Sequence, residues 1–348
     1  MPSTKTNVTA KEVPPPSPPP APKGGPKITE MTEDTITKNT ILVNSQHTDM
    51  RLLFLLQKAV QHLHDFAIET RLTTEEWEAA IQFLTDTGKM CSDIRQEFVL
   101  LSDVMGLSVL VDSISHPKPA NATIGTLLGP FHTHDAQEMH QGDSICSEGK
   151  GEPLLIEGLL TEPDGTPIPD ASIDLWHCDA NGLYDTQYAN RDHPDMRGIV
   201  KTNDDGSFII KCTRPVPYPI PHDGPVGKLL QKINRHPYRP AHIHFIIEKE
   251  GYDRLITALY AKGDLYETSD AVFGVKTLLL YTLDKLGAEK AKKYDMNPDD
   301  WYLKWHFKII TTEEARKLRF EKNKEALTRA AANLTLNEDG LPEPSPLD

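Results

Sequence analysis

His242 and His244 stand two residues apart in Arg239-Pro-Ala-His-Ile-His-Phe. Side chains two apart on a β-strand share a face, so this spacing sets two imidazoles side by side on a rigid element, as a metal site requires. Upstream, Tyr184 closes the segment Leu175-Trp-His-Cys-Asp-Ala-Asn-Gly-Leu-Tyr, and Tyr218 lies in Arg214-Pro-Val-Pro-Tyr-Pro. A phenol resists ionisation near neutral pH and is a poor ligand for zinc or magnesium. It becomes a good ligand when a hard trivalent cation replaces its proton. Two tyrosines with two histidines therefore suggest ferric iron. Each residue taken singly has a plainer reading: a His-x-His pair as ordinary strand residues, a tyrosine as a buried aromatic with its hydroxyl bonded to backbone.

These motifs resemble those of the intradiol ring-cleavage dioxygenases, non-haem ferric enzymes that split catechols between the two hydroxyl-bearing carbons. The segment from His64-Asp-Phe through Gly106-Leu-Ser and the junction Leu128-Gly-Pro-Phe belong to the same resemblance, which runs from about Thr35 to Ile310. It implies Tyr184, Tyr218, His242 and His244 as ligands of one Fe(III) per subunit. Tyr218 and His244 would be axial, Tyr184 and His242 equatorial. His177, close to Tyr184, is a tempting fifth donor, but the resemblance gives it a structural place. Tyr218, displaced by substrate, would take one of the diol's protons. Arg239 would stabilise negative charge developing on the ring; its plainer reading is a strand-end arginine in a surface ion pair. Both atoms of O2 would end in a ring-opened dicarboxylate, with no external reductant consumed.

Within that family, Gln96-Glu-Phe-Val-Leu-Leu-Ser-Asp-Val-Met-Gly-Leu-Ser and Asp270-Ala-Val-Phe-Gly-Val-Lys resemble the hydroxyquinol branch more than the catechol branch. The matched positions implied to line the substrate pocket are Leu100, Asp103, Leu128, Gly129, Pro130, Phe131, Ala271 and Val272. Asp103 is the sharpest of them. An acidic side chain over an otherwise apolar pocket can accept a hydrogen bond from the third hydroxyl of hydroxyquinol. With plain catechol that carboxylate loses its partner at a cost of about 1–3 kcal/mol, enough for roughly tenfold selectivity. The expectation is therefore a hydroxyquinol 1,2-dioxygenase yielding 3-hydroxy-cis,cis-muconate or its tautomer maleylacetate. The alternative is a catechol 1,2-dioxygenase yielding cis,cis-muconate, with Asp103 a local cap or ion-pair partner. One departure stands out: many catechol enzymes of the family carry a glutamine where this chain has Ala258.

Several elements must position these groups. Leu154-Leu-Ile-Glu-Gly-Leu-Leu, Ala171-Ser-Ile-Asp-Leu-Trp, Ser207-Phe-Ile-Ile-Lys-Cys and Ala241-His-Ile-His-Phe-Ile-Ile read as strands, separated by turn signals at Pro163-Asp-Gly and Asp204-Asp-Gly-Ser. Short strands at this spacing argue a β-sandwich. Three helices precede them: Asp49 to Arg71, a second capped by Thr73 with Glu76, and a third from about Ser92 to Ser113. A last helix, capped by Thr311 and Glu314, should run through Leu327 as a solvated appendage, with Asn337 to Asp348 fraying. The expected class is α+β, mainly β: a prealbumin-like β-sandwich catalytic domain over 126–311. It follows a helical domain over 29–125, to which the resemblance assigns the dimer interface and, in some members, a bound phospholipid. Residues 1–28, with Pro14-Pro-Pro-Ser-Pro-Pro-Pro, should be disordered, and 312–348 form the terminal helix and tail.

Bulk composition narrows the alternatives. A net charge of −14 over 348 residues argues against nucleic acid or an anionic membrane surface as a partner. The four cysteines show no CxxC spacing, no apolar run approaches the roughly 20 residues of a membrane span, and no secretory leader opens the chain, so the cytoplasm is expected. Two rivals remain. A prealbumin-like binding or adhesion sandwich shares the cadence of Gly158 to Phe208 but has no use for the tyrosines and histidines. A zinc hydrolase needs a further carboxylate or cysteine ligand that the motifs do not offer.

Overall fold

The computed structural model describes residues 30–45, 48–92, 95–329 and 334–345. The proline-rich head, expected to be disordered, lies outside them. The chain divides after Leu72 into two compact units.

The first unit carries α1 (Ile36–Asn44) and α2 (Met50–Thr70). Asp49 caps α2 by accepting from the Leu52 amide at 2.9 Å, and Arg71 in left-handed conformation ends it. Thr37 Oγ1 and His64 Nδ1 join the two helices at 2.9 Å.

The second unit opens with α3 (Thr74–Met90), whose start is the expected capping box between Thr73 and Glu76. The single helix expected from Ser92 to Ser113 is instead two: α4 (Glu97–Val104) and α5 (Leu107–Ser115), bent by 82°. Gly106, at φ +75°, makes the turn. The apolar stripe continues on both sides of the break, so periodicity alone hid it. Among the described residues, no single helix is long and apolar enough to cross a membrane.

The sheet-forming part then runs through β1 (Glu138–Met139), β2 (Pro153–Thr161), β3 (Ser172–Trp176), β4 (Arg197–Lys201), β5 (Ser207–Thr213) and β6 (Tyr218–Pro219). After α6 (Pro225–Lys232) come β7 (Tyr238–Arg239), β8 (His242–Glu248), β9 (Leu255–Ala261), β10 (Leu280–Tyr281) and β11 (Asp284–Lys285). It ends with α7 (Gly287–Tyr294), β12 (Trp301–Lys308) and α8 (Thr312–Arg329). One sheet has the order β1-β4-β3-β8-β9-β10, the other β11-β12-β2-β5. Their inner faces share one core: Ile173, Leu175, Ile243, Phe245 and Ile247 meet Leu154, Ile156, Leu160, Phe208 and Phe307. Phe245 and Phe307 touch across it, with ring centroids 4.9 Å apart. This is the expected sandwich.

Period-two alternation now has a consequence for chemistry. On β8, Ile243, Phe245 and Ile247 enter that core, which turns His242, His244 and Ile246 to the opposite face. That face is covered too, since both histidines are buried.

Thr311 and Glu314 cap α8 as expected: the Glu314 amide donates to Thr311 Oγ1 at 3.2 Å, and the Thr311 amide to Glu314 Oε2 at 2.9 Å. The expectation that residues from Asn337 fray is overturned for 337–345, and the remainder lies outside the described residues. β13 (Leu334–Leu336) and β14 (Pro342–Pro344) pair antiparallel, and Asn323 on α8 donates to the Gly340 carbonyl at 2.7 Å. A three-residue strand ending in Pro-Glu-Pro has little intrinsic strand propensity, so its pairing depends on the helix beneath it.

Candidate metal centre

Four separate pieces of backbone deliver the donor groups. His242 and His244 come from the outer face of β8. Tyr218 comes from β6, which pairs antiparallel with β7 so that Tyr218 lies directly opposite Arg239. Tyr184 follows a tight turn held by Asp179, whose carboxylate accepts from the Asn181 amide at 2.8 Å and the Leu183 amide at 3.1 Å. Just beyond it, buried Asp185 takes Arg197 Nε and Arg191 Nε, both at 2.9 Å. Arg197 Nη1 also donates to the Phe131 carbonyl at 3.0 Å, so one ion-pair network holds both Tyr184 and the segment that packs on it.

The four donor atoms converge. Tyr218 Oη lies 3.1 Å from Tyr184 Oη and 3.2 Å from His242 Nε2, and the two histidine Nε2 atoms are 3.1 Å apart. Tyr184 Oη and His242 Nε2 are separated by 3.5 Å. Burial, with Arg239 nearby, holds both imidazoles well below their ordinary pKa, so they are neutral. His242 Nδ1 and the Pro240 carbonyl meet at 2.7 Å, which assigns the proton to Nδ1 and leaves a lone pair on Nε2. Burial pushes the Tyr218 phenol up to about 12 and Tyr184 well above the usual tyrosine range. Phenols so placed ionise only if a cation replaces the proton.

This donor set fits a hard metal ion. Lone pairs about 3 Å apart are the edges expected around one small cation with bonds of about 2.1 Å. The set combines hard oxygen with neutral imidazole. Among the described residues, no group of three or more His, Cys, Asp or Glu is placed to hold a metal. His177 turns away: its Nδ1 meets the Cys178 carbonyl at 2.7 Å and its Nε2 lies 3.7 Å from Cys146 Sγ.

His244 is oriented by packing. Its buried Nδ1 has no hydrogen-bond partner among the described residues, but Trp176 stacks flat on the ring, centroids 4.9 Å apart and planes 3° from parallel. Gly129, at φ +76°, leaves the room the imidazole needs. A Cβ there would stand 3.2 Å from His244 Cε1, so any larger residue would press on the imidazole.

Arg239 is buried, and its guanidinium reaches three residues. Its Nε donates to Asp270 Oδ1 at 3.1 Å, Nη2 to Tyr260 Oη at 3.1 Å, and Nη1 reaches His242 Nε2 at 3.0 Å. Burial opposes its charge, yet Asp270, Tyr260 and Tyr218 together outweigh that and hold its pKa above the ordinary value. Asp270 also accepts from the Gly274 amide at 2.9 Å, pinning its own loop. The sequence reading missed both Tyr260 and Asp270. Ala258 pairs with His244 and Tyr260 with His242 across β8 and β9. Cross-strand partners share a face, so counting two residues on from Ala258 would have found Tyr260. No local signal marks Asp270 beyond its place beside Ala271.

The expected pocket residues divide. Leu100, Ala271 and Val272 join one buried cluster with Val104 and Ile220. Phe131 stacks on Tyr184, centroids 4.5 Å apart, and meets Tyr218 edge-on. Leu128 and Pro130, flanking Gly129, are exposed. Asp103 is half-buried at the end of α4. Burial raises its carboxyl above the ordinary range against the hydroxyl of Ser108, and the charges acting on it include Arg239 and Asp270. Among the described residues it has no ion-pair partner.

Known proteins place these features in a family. A family described as "Dioxygenase" matches residues 127–308, and "Catechol dioxygenase N terminus" matches 49–123. An intradiol ring-cleavage dioxygenase of Aspergillus niger is 52% identical over 319 residues, covering 92% of this chain and 97% of that protein. A 6-chlorohydroxyquinol 1,2-dioxygenase of Cupriavidus pinatubonensis is 44% identical over 251 residues, 72% of this chain and 91% of its own length. A crystal structure of hydroxyquinol 1,2-dioxygenase from Pseudomonas putida superimposes with a TM-score of 0.76 at 38% identity, over 80% of this chain and 98% of that one. Sandwich, donor cluster and sequence likeness agree, and the chain belongs to the intradiol ring-cleavage dioxygenases.

Proposed function

We propose that this chain cleaves hydroxyquinol between its adjacent hydroxyls with O2, using one Fe(III) per subunit held by Tyr184, Tyr218, His242 and His244. The family is iron-dependent. The observation that carries the reading is the meeting of these four donors beside a buried arginine, with a carboxyl at the end of α4 within charge range of that arginine.

Fe(III) held by Tyr184, Tyr218, His242 and His244 would supply the Lewis acidity and ferric–oxygen covalency that make a catecholic ring reactive toward O2. The protein does the rest. Tyr218, whose phenol favours its protonated form, would hold one proton of the diol at its own oxygen. Arg239, fixed by Asp270 and Tyr260, faces negative charge as it grows on the attacked carbon and needs no reorganisation to do so. Leu100, Ala271, Val272 and Phe131 hold the ring in apolar surroundings, with Leu128, Gly129 and Pro130 at its edge. Asp103 accepts from the third hydroxyl, which catechol lacks. Both atoms of O2 enter the product, 3-hydroxy-cis,cis-muconate or its tautomer maleylacetate.

The same reading makes residues 29–125 a dimerisation domain, whose interface holds a phospholipid in some members of the family, ahead of a catalytic domain over 126–311 and a terminal helix and tail over 312–348. It places the homodimer in the cytoplasm. Within the first unit, exposed Leu52, Leu63 and Phe66 on α2 support an apolar interface; within the second, exposed Leu107, Leu110 and Ile114 on α5 do so separately.

Oxygen uptake by iron-replete protein tests the substrate. kcat/KM for hydroxyquinol is expected to exceed that for catechol by about tenfold or more. Asp103→Ala is expected to lower the hydroxyquinol value by roughly 10- to 100-fold, the loss of one hydrogen bond to a charged group, and to raise catechol turnover, because the carboxylate that catechol leaves without a partner is gone. A wild-type preference for catechol would return Asp103 to a structural part.

A further inference from the structure

Two walls of the expected pocket come from segments far apart in sequence. Leu100 and Asp103 stand on α4, whereas Ala271 and Val272 stand on the loop after Asp270. One side chain joins them. Arg235 Nη1 donates to the Val104 carbonyl at 2.8 Å, and its Nη2 donates to the Ala271 carbonyl at 2.9 Å. The guanidinium lies over the Phe273 ring, 4.7 Å from its centroid. Phe273 in turn lies against Gly106, the residue that breaks α4 from α5: a Cβ there would stand 3.5 Å from the ring.

The Arg235 contacts are specific in kind. Val104 is at the last turn of α4, where carbonyls lack partners within the helix. A cation there also faces the negative end of the helix dipole. Only a planar fork can serve two carbonyls at a fixed separation while stacking on a ring. The other end of α4 is tied separately: buried Glu97 accepts from the Val226 amide at 3.1 Å and pairs with Arg95 at 2.9 Å. Glu97 therefore holds the helix in the fold, and Arg235 sets how far its final turn, with Asp103, stands from Ala271 and Val272.

We infer that Arg235 is a positioning residue for substrate choice: it spaces the Asp103 wall of the pocket from the Ala271–Val272 wall and so fixes where the carboxylate meets a ring substituent. This rests on the proposed pocket. Arg235 touches none of the four donors, so it is separable from iron binding.

The test compares wild type, Arg235→Met and Arg235→Lys, each iron-loaded, by kcat/KM for hydroxyquinol and catechol, with iron content and the visible absorption band as controls. Arg235→Met keeps much of the stem but neither donor; Arg235→Lys keeps the charge and can serve only one carbonyl at a time. The expected result is that the hydroxyquinol-to-catechol ratio moves by about tenfold in Arg235→Met and less in Arg235→Lys, with iron and colour unchanged. A fall shared equally by both substrates, or a ratio that stays put, would overturn the inference. If Arg235→Met does not fold, Arg235→Lys decides on the same criterion. Failure of the proposed function is distinguishable, because it shows in wild type as a preference for catechol. A ratio that still moves on substitution would then keep Arg235 as the spacer of a catechol pocket.

Discussion

Tyr184→Phe is expected to abolish ring cleavage and strip the protein of most of its iron and visible colour. The phenol oxygen is one of three donors that lie within 3.5 Å of the fourth, His242 Nε2, and its ring is held by Phe131 stacked on it. Phenylalanine preserves that stacking and the volume, so the protein should fold. What goes is a hard oxygen donor in a site otherwise holding one phenol and two neutral imidazoles, a mixture less suited to a trivalent ion. Loss of a mere supporting partner of a metal ligand typically costs about 10- to 100-fold in affinity or activity; loss of the donor itself should exceed that. Activity, iron by elemental analysis and absorption of the ferric phenolate should therefore fall together. Full iron content with full colour in the variant would remove Tyr184 from the ligand set.

Arg239→Met is expected to behave differently, with iron and colour retained and kcat down by about 10²- to 10³-fold, the range for deleting a preorganised group that meets developing charge. Its complication is stability. Asp270 is buried against Arg239 and would be left unpaired, at a cost of roughly 3–5 kcal/mol. The double variant Arg239→Met/Asp270→Asn separates the two effects. Removing the orphaned charge should restore much of the thermal stability while kcat remains low. If the double variant recovered kcat along with stability, the arginine would be a structural member of a buried pair rather than a participant in the reaction.

Much of the site could be read from local sequence because its geometry is local. His242 and His244 share a face by strand periodicity alone, and β8 bears this out with Ile243, Phe245 and Ile247 turned into the core. The capping boxes at Thr73 and Thr311 are contained within four residues each and formed as expected. Gly106 was harder, since a helix break inside an unbroken apolar stripe leaves only a glycine as its sign. The hairpin of β13 and β14 was illegible for the opposite reason: its support comes from α8 and not from its own residues.

By itself the sequence determined the donor types, the strand that carries two of them, and the sandwich that buries that strand. Tertiary structure alone decided how Arg239 is held. Tyr260 and Asp270 lie 21 and 31 residues from it and meet it only because β8 pairs with β9 and the following loop folds back. It also decided which neighbours orient His244: Trp176 by stacking and Gly129 by leaving room. Donor chemistry is a property of residue type and spacing, and so is written along the chain. Orientation and charge pairing are properties of distance, which only the packed fold sets.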